Sequence, residues 1–174
     1  MKIKVFLLIL IGLLFSALGA KAQFMLAEGT QITLGDDSKK SVEKLASGDI
    51  LLVFNYNDKV YEEKKVTNVK KVMMNRLIRV TLETGMQITM SMDCPMWAER
   101  GWVAVDAYMA RQNPKYATAK DCQLGEFILF YNITSTDYVE VSVIQGIAIP
   151  TNTYELELDG DGAIIANGFL IGQN

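Results

Sequence analysis

Two cysteines, no histidine, and a serine and an aspartate beside one of the thiols set the limits on what this 174-residue chain could do chemically. Ser91, Asp93 and Cys94 fall in the run Ser91-Met92-Asp93-Cys94. A thiol attacks carbonyl carbon as its thiolate, so it needs a nearby cation or base to draw off the proton. Asp93 works the other way, because an adjacent negative charge raises a thiol pKa. Three readings of Cys94 stay open: a reactive nucleophile, an inert core thiol, or the partner of Cys122 in a disulfide, the last worth roughly 3 to 4 kcal/mol by the loop-entropy relation. The same stretch carries a second chemistry. Met86, Met90, Met92, Cys94 and Met96 share one strand parity, and thioethers with a thiolate suit monovalent copper. Methionine on a buried strand face also fills irregular core gaps, which is the simpler reading.

The elements that must position these groups read as strands. From Met86 to Met96 the even-numbered residues are apolar apart from the thiol, and Gln87, Thr89, Ser91 and Asp93 alternate with them, the pattern of a half-buried strand. Thr84-Gly85 permits a tight reversal from Arg79 to Glu83, so the pair forms a hairpin whose second strand runs out at Asp93-Cys94-Pro95. Upstream, Met25 to Leu34 reads as a strand bent at Gly29, and Ser41 to Leu45 as one helical turn. Ile50 to Phe54, Val60-Tyr61, Lys64 to Met73 and Gly101 to Val105 follow as further strands. Only Ala107 to Ala119 has helix-like spacing, and Pro114 cuts it. Gly125 to Tyr131 then restates Gly48 to Phe54, and at the same offset of 77 residues Tyr154 to Leu158 falls on Leu77 to Thr81. Two half-domains of one plan are implied, in an all-β fold. The apolar tail from Ala163 to Asn174, turning at Asn167-Gly168, belongs inside the sheet. Trp97, Trp102, Phe54 and Tyr131 read as core or cleft lining.

Residues 1–22 have the build of an export signal: Lys2 and Lys4, an apolar run, then Ala20-Lys21-Ala22 as a small-x-small cleavage site before Gln23. Cleavage would leave one domain, residues 23–174, destined for the periplasm or the extracellular space. It would remove three lysines and no acid, leaving 14 basic against 20 acidic residues, net −6. That sign argues against nucleic acid as a partner. No membrane association is expected once the signal is gone.

The pieces in this order resemble the Hint domain shared by inteins and hedgehog-type processing domains. MLAEGTQITLGDDSKKSVEKLASGDILLVFN resembles its opening block, RVTLETGMQITMSMDCPMW the middle block with GWVAVDA as follower, and TYELELDGDGAIIANGFLIGQN the closing block. The resemblance implies a horseshoe-like all-β fold with pseudo-twofold halves. It also implies that self-processing has lapsed. The family's acyl-accepting first residue falls on Met25, whose thioether has no proton to lose. Its Thr-x-x-His falls on Ser91 to Cys94, so a hydroxyl survives while the imidazole that protonates the departing amide does not. Its closing His-Asn falls on Gly172-Gln173, or with a one-residue gap on Gln173-Asn174. A cut before Gln23 would leave only Gln23-Phe24 ahead of Met25, little for splicing to join. The expected cleft is framed by Met25, Thr30, Ser91, Asp93, Cys94, Gln173 and Asn174. The expected function is an exported binding or structural module with no cofactor and an unidentified protein or peptide partner. Residual autoproteolysis at Cys94 and copper on the methionine face stand as alternatives.

Overall fold

The computed structural model describes Ala22 and residues 24–174, so the signal reading of residues 1–22, Ala22 apart, lies outside the described residues. The first half of the chain supplies β1 (Leu26–Ala27), β2 (Gln31–Thr33), β3 (Lys39–Ser41), β4 (Ile50–Asn55), β5 (Val60–Met74), β6 (Leu77–Leu82) and β7 (Gln87–Met90). The second supplies β8 (Met96–Ala98), β9 (Gly101–Ala104), the one-turn helix α1 (Ala107–Ala110), β10 (Lys120–Asp121), β11 (Phe127–Asn132), β12 (Ser135–Ile147), β13 (Thr151–Leu158), β14 (Ala163–Ala166) and β15 (Phe169–Ile171). The helical turn expected at Ser41 to Leu45 is a 3-10 turn at Val42–Lys44.

Following the pairings β15-β11-β12-β6-β7-β1-β13-β5-β4-β14 and back to β15 closes a circuit. Its symmetry is the 77-residue repeat. β4 and β11 cover equivalent residues, and each forms an antiparallel hairpin with its long successor, β5 or β12. Gly48 (φ 100°) and Gly125 (φ 83°) occupy equivalent positions ahead of the two hairpins. The Gly48 amide donates to the Val66 carbonyl at 2.8 Å and the Gly125 amide to the Val141 carbonyl at 2.9 Å. Each long strand then leaves its own half: β5 runs beside β13, and β12 beside β6. The halves are therefore interleaved, with neither sheet portion complete on its own.

Strands β14 and β15 are buried throughout, which is why their sequence is a continuous apolar run rather than an alternation. Ile32, Leu51, Val53, Val80, Ile128, Ile165 and Phe169 form the core with no exposure. The outermost strands β3 and β10 are short and carry Lys39, Lys40, Lys120 and Asp121, a charge pattern that discourages edge-to-edge association.

Two expectations about the central stretch need correcting. The strand after Gly85 ends at Met90 rather than at Cys94, because the Ser91 amide turns to the Met25 carbonyl (2.9 Å) and the Cys94 amide closes a turn onto the Ser91 carbonyl (3.2 Å). Parity is lost there: Met86 and Met92 are each 41% exposed, while Met90, Cys94 and Met96 have no exposure. The five residues thus divide between a buried set and an exposed pair, unlike the single buried face that the alternation implies. The proposed disulfide also fails, since Cys94 and Cys122 are both free buried thiols. Cys94 is locked in the turn after β7, whereas Cys122 is drawn beside β9 by the hydrogen bond its amide donates to the Ala104 carbonyl at 2.8 Å.

Candidate functional site

Met25 and Ser91 are bound to each other twice. The Met25 amide donates to Ser91 Oγ at 3.1 Å, and the Ser91 amide donates to the Met25 carbonyl at 2.9 Å. Both are buried, Met25 completely, so the entry to β1 is stitched onto the exit of β7. Cys94 lies one turn further on. Burial pushes its thiol well above the ordinary value, and the charge of Asp93 adds to the rise. A thiol so placed is a poor source of thiolate.

The tail reaches the same region. The Gly172 amide donates to the Pro95 carbonyl at 2.8 Å, next to Cys94. The Gln173 carbonyl accepts from the Tyr116 hydroxyl at 2.7 Å, and the Gln173 side-chain amide donates to the Gly160 carbonyl at 2.7 Å. Tyr116 was not legible as a site residue. It is delivered by the segment whose helical spacing is cut by Pro114: Asp106 caps α1 by accepting from the Met109 amide, and Pro114 opens a 3-10 turn at Pro114–Tyr116 that points the ring inward. There Tyr116 meets Phe24 edge-on at 5.1 Å and Trp102 at 4.9 Å. Burial raises its hydroxyl pKa, keeping it a donor.

Outside this sealed knot the surface opens. A groove of about 400 Å³ is bounded by Ala22, Lys70, Gln112, Asn113, Glu155 and Asn174. Glu155, whose side chain is only 11% exposed, pairs with Lys70 at 3.3 Å and accepts from the Asn174 side-chain amide. Lys115 donates to the Asn174 carbonyl at 3.2 Å and pairs with Asp161 at 2.7 Å. Met25, Ser91, Cys94 and Gln173 thus come together in the interior, and Asn174 stands at the groove. Thr30 does neither: its hydroxyl donates to the Ala27 carbonyl at 2.6 Å. Glu155 and Lys70 meet only through the tertiary pairing of β5 with β13, and Lys115 reaches the tail from the 3-10 turn at Pro114–Tyr116, so local sequence pattern gave no signal for the three together.

Both thiols are expected to resist an aromatic disulfide reagent in the folded protein at pH 8, with two equivalents reacting only in denaturant. Burial also pushes the Cys122 thiol from 9.0 up to about 12. A folded-state pKa raised above the unfolded value contributes stability that is fully present below pH 9 and is lost as pH rises from 9 toward 12. Urea midpoints should therefore fall between pH 8 and pH 10.5, and fall less in Cys122→Ala.

No family model matches the chain, and no curated protein sequence matches it. Solved structures do. A DnaB intein from Synechocystis sp. PCC 6803 superposes with a TM-score of 0.69 at 15% identity, covering 87% of this chain and 99% of the other. A bacterial intein-like domain from Clostridium thermocellum gives 0.66 at 17% identity over 86% and 98%. The gp41-1 intein gives 0.62 at 18% over 87% and 98%. The chain has the all-β Hint-type fold of these proteins.

Proposed function

We propose that this Hint-type domain leaves its own backbone intact and serves as an exported binding module, engaging a protein or peptide through the groove beside Lys70, Glu155 and Asn174. The observation that carries the reading is the state of Met25. A thioether occupies the position where an acyl acceptor is required, it is fully buried, and its amide is held on Ser91 Oγ. The imidazole position holds Cys94, shut in the core with a pKa raised by burial and by Asp93, and no cation among the described residues lowers it. General acid catalysis and covalent catalysis each normally contribute orders of magnitude, and this arrangement supplies neither. The groove, by contrast, offers a carboxylate, an ammonium and side-chain amides, groups that recognise a peptide backbone and its charges. The signal-like residues 1–22 support export, and their removal would take Ala22 from the rim and leave Lys70, Gln112, Asn113, Glu155 and Asn174 to line the groove.

The purified chain, incubated for a day at pH 7 to 9 with and without thiol or hydroxylamine, is expected to keep a single intact mass. Backbone cleavage within residues 25–174 that disappears in Cys94→Ala would overturn the reading.

A further inference from the structure

Arg79 sits in the middle of β6 with Thr89 and Gln145 directly opposite on the two neighbouring strands. A carboxylate directly across the ladder would stabilise such an arginine, yet among the described residues no acid forms an ion pair with it. Its Nε donates to Thr89 Oγ1 at 3.2 Å, which anchors the guanidinium. Arg79 lines a second groove, of about 360 Å³, together with Glu28, Gln87, Thr89, Ile149 and Asn167. It shares no lining residue with the groove at Asn174.

Among the described residues lining this groove the one acid is Glu28, and its carboxylate is tied down by neutral donors on β13. Glu28 Oε2 accepts from the Asn152 side-chain amide at 3.1 Å and Oε1 from the Tyr154 hydroxyl at 3.3 Å. Asn167 braces the wall: its Oδ1 accepts from the Gln31 amide at 2.8 Å and its Nδ2 donates to the Gln87 carbonyl at 3.0 Å. The Gln87 side chain stays exposed as a further donor. At the rim stands Ile149, 67% exposed, an apolar side chain with nothing packed over it.

We propose that this groove is a binding site for a carboxylate on a short apolar body, such as the C-terminal end of a peptide whose last residue is aliphatic. The anchored guanidinium takes the two carboxylate oxygens through its parallel N–H donors, a fork-to-fork geometry that a lysine cannot reproduce. Gln87 supplies a second donor and Ile149 covers the aliphatic group. This site stands independently of the proposal for the Asn174 groove, because the two share no residue.

Titration of the full chain with N-acetyl-Ala-Leu, its C-terminal amide and hexanoate, followed by amide chemical shifts, tests it. The peptide acid is expected to bind in the millimolar range and to shift residues around Arg79 and Ile149, with the amide at least about tenfold weaker. Arg79→Gln should lose that preference, and Ile149→Ser should weaken binding several-fold while keeping it. Hexanoate matching the peptide acid would assign the site to free acyl carboxylates, within the same chemistry. Equal binding of acid and amide, or no saturation by about 50 mM of any probe, would overturn the proposal.

Discussion

Gly168→Ala is expected to remove roughly 3 to 4 kcal/mol of stability, a large fraction of the 5 to 15 kcal/mol typical of a domain. Gly168 follows Asn167 in the reversal between β14 and β15, with φ +89°. A Cβ there would lie 2.5 Å from the Phe130 ring and 2.9 Å from the Tyr131 carbonyl. The ring is wedged against Phe169 at 5.9 Å and the carbonyl is backbone, so neither can yield cheaply. Left-handed strain of about 1 kcal/mol adds to that clash. Gly29→Ala is the matched control: its φ is +86°, yet a Cβ there would meet nothing within 4 Å. It should cost only the strain, about 1 kcal/mol. Urea unfolding with an unchanged slope separates the two, and similar losses in both would show that the Phe130 contact carries no weight.

Tyr116→Ala is expected to be comparably damaging, about 3 to 5 kcal/mol. The side chain is 1% exposed and holds Phe24, Trp102 and the Gln173 carbonyl at once. Tyr116→Phe divides the effect. It keeps the ring and strands one buried carbonyl, which should cost about 1 to 2 kcal/mol. Gly172 was selected by the same ring, since a Cβ there would come within 2.6 Å of the Tyr116 hydroxyl. If Tyr116→Phe lost as much as Tyr116→Ala, the hydrogen bond rather than the packing would be holding the tail.

What could be read from the sequence was what local chemistry fixes. The β6–β7 hairpin follows from Thr84-Gly85 between alternating runs, and the two related halves follow from the glycine-led β-rich runs at equal offsets, whereas their exchange of long strands shows only in the pairings. The buried tail follows from an unbroken apolar stretch. The extension of β7 through Cys94 did not materialise, because period-2 alternation continued in the sequence past the point where Ser91 finds a tertiary partner in Met25. Pairing Cys94 with Cys122 failed for a related reason: spacing along a chain says nothing about which strand each thiol joins. Tyr116, Glu155 and Arg79 were invisible as site residues because each acquires its role from tertiary neighbours: Gln173, Lys70, and the uncharged Thr89 and Gln145 opposite it on the flanking strands, respectively.

The exchange of long strands between the two halves has a consequence for synthesis. β5 has no partner along its outer length until Thr151 to Leu158 has been made, and the circuit closes only when β14 meets β15 near the end of the chain. Hairpins such as β4–β5 and β6–β7 need only neighbouring residues, but the pairings that join the two halves await a segment made last, so the finished ring of strands is the product of one late closure.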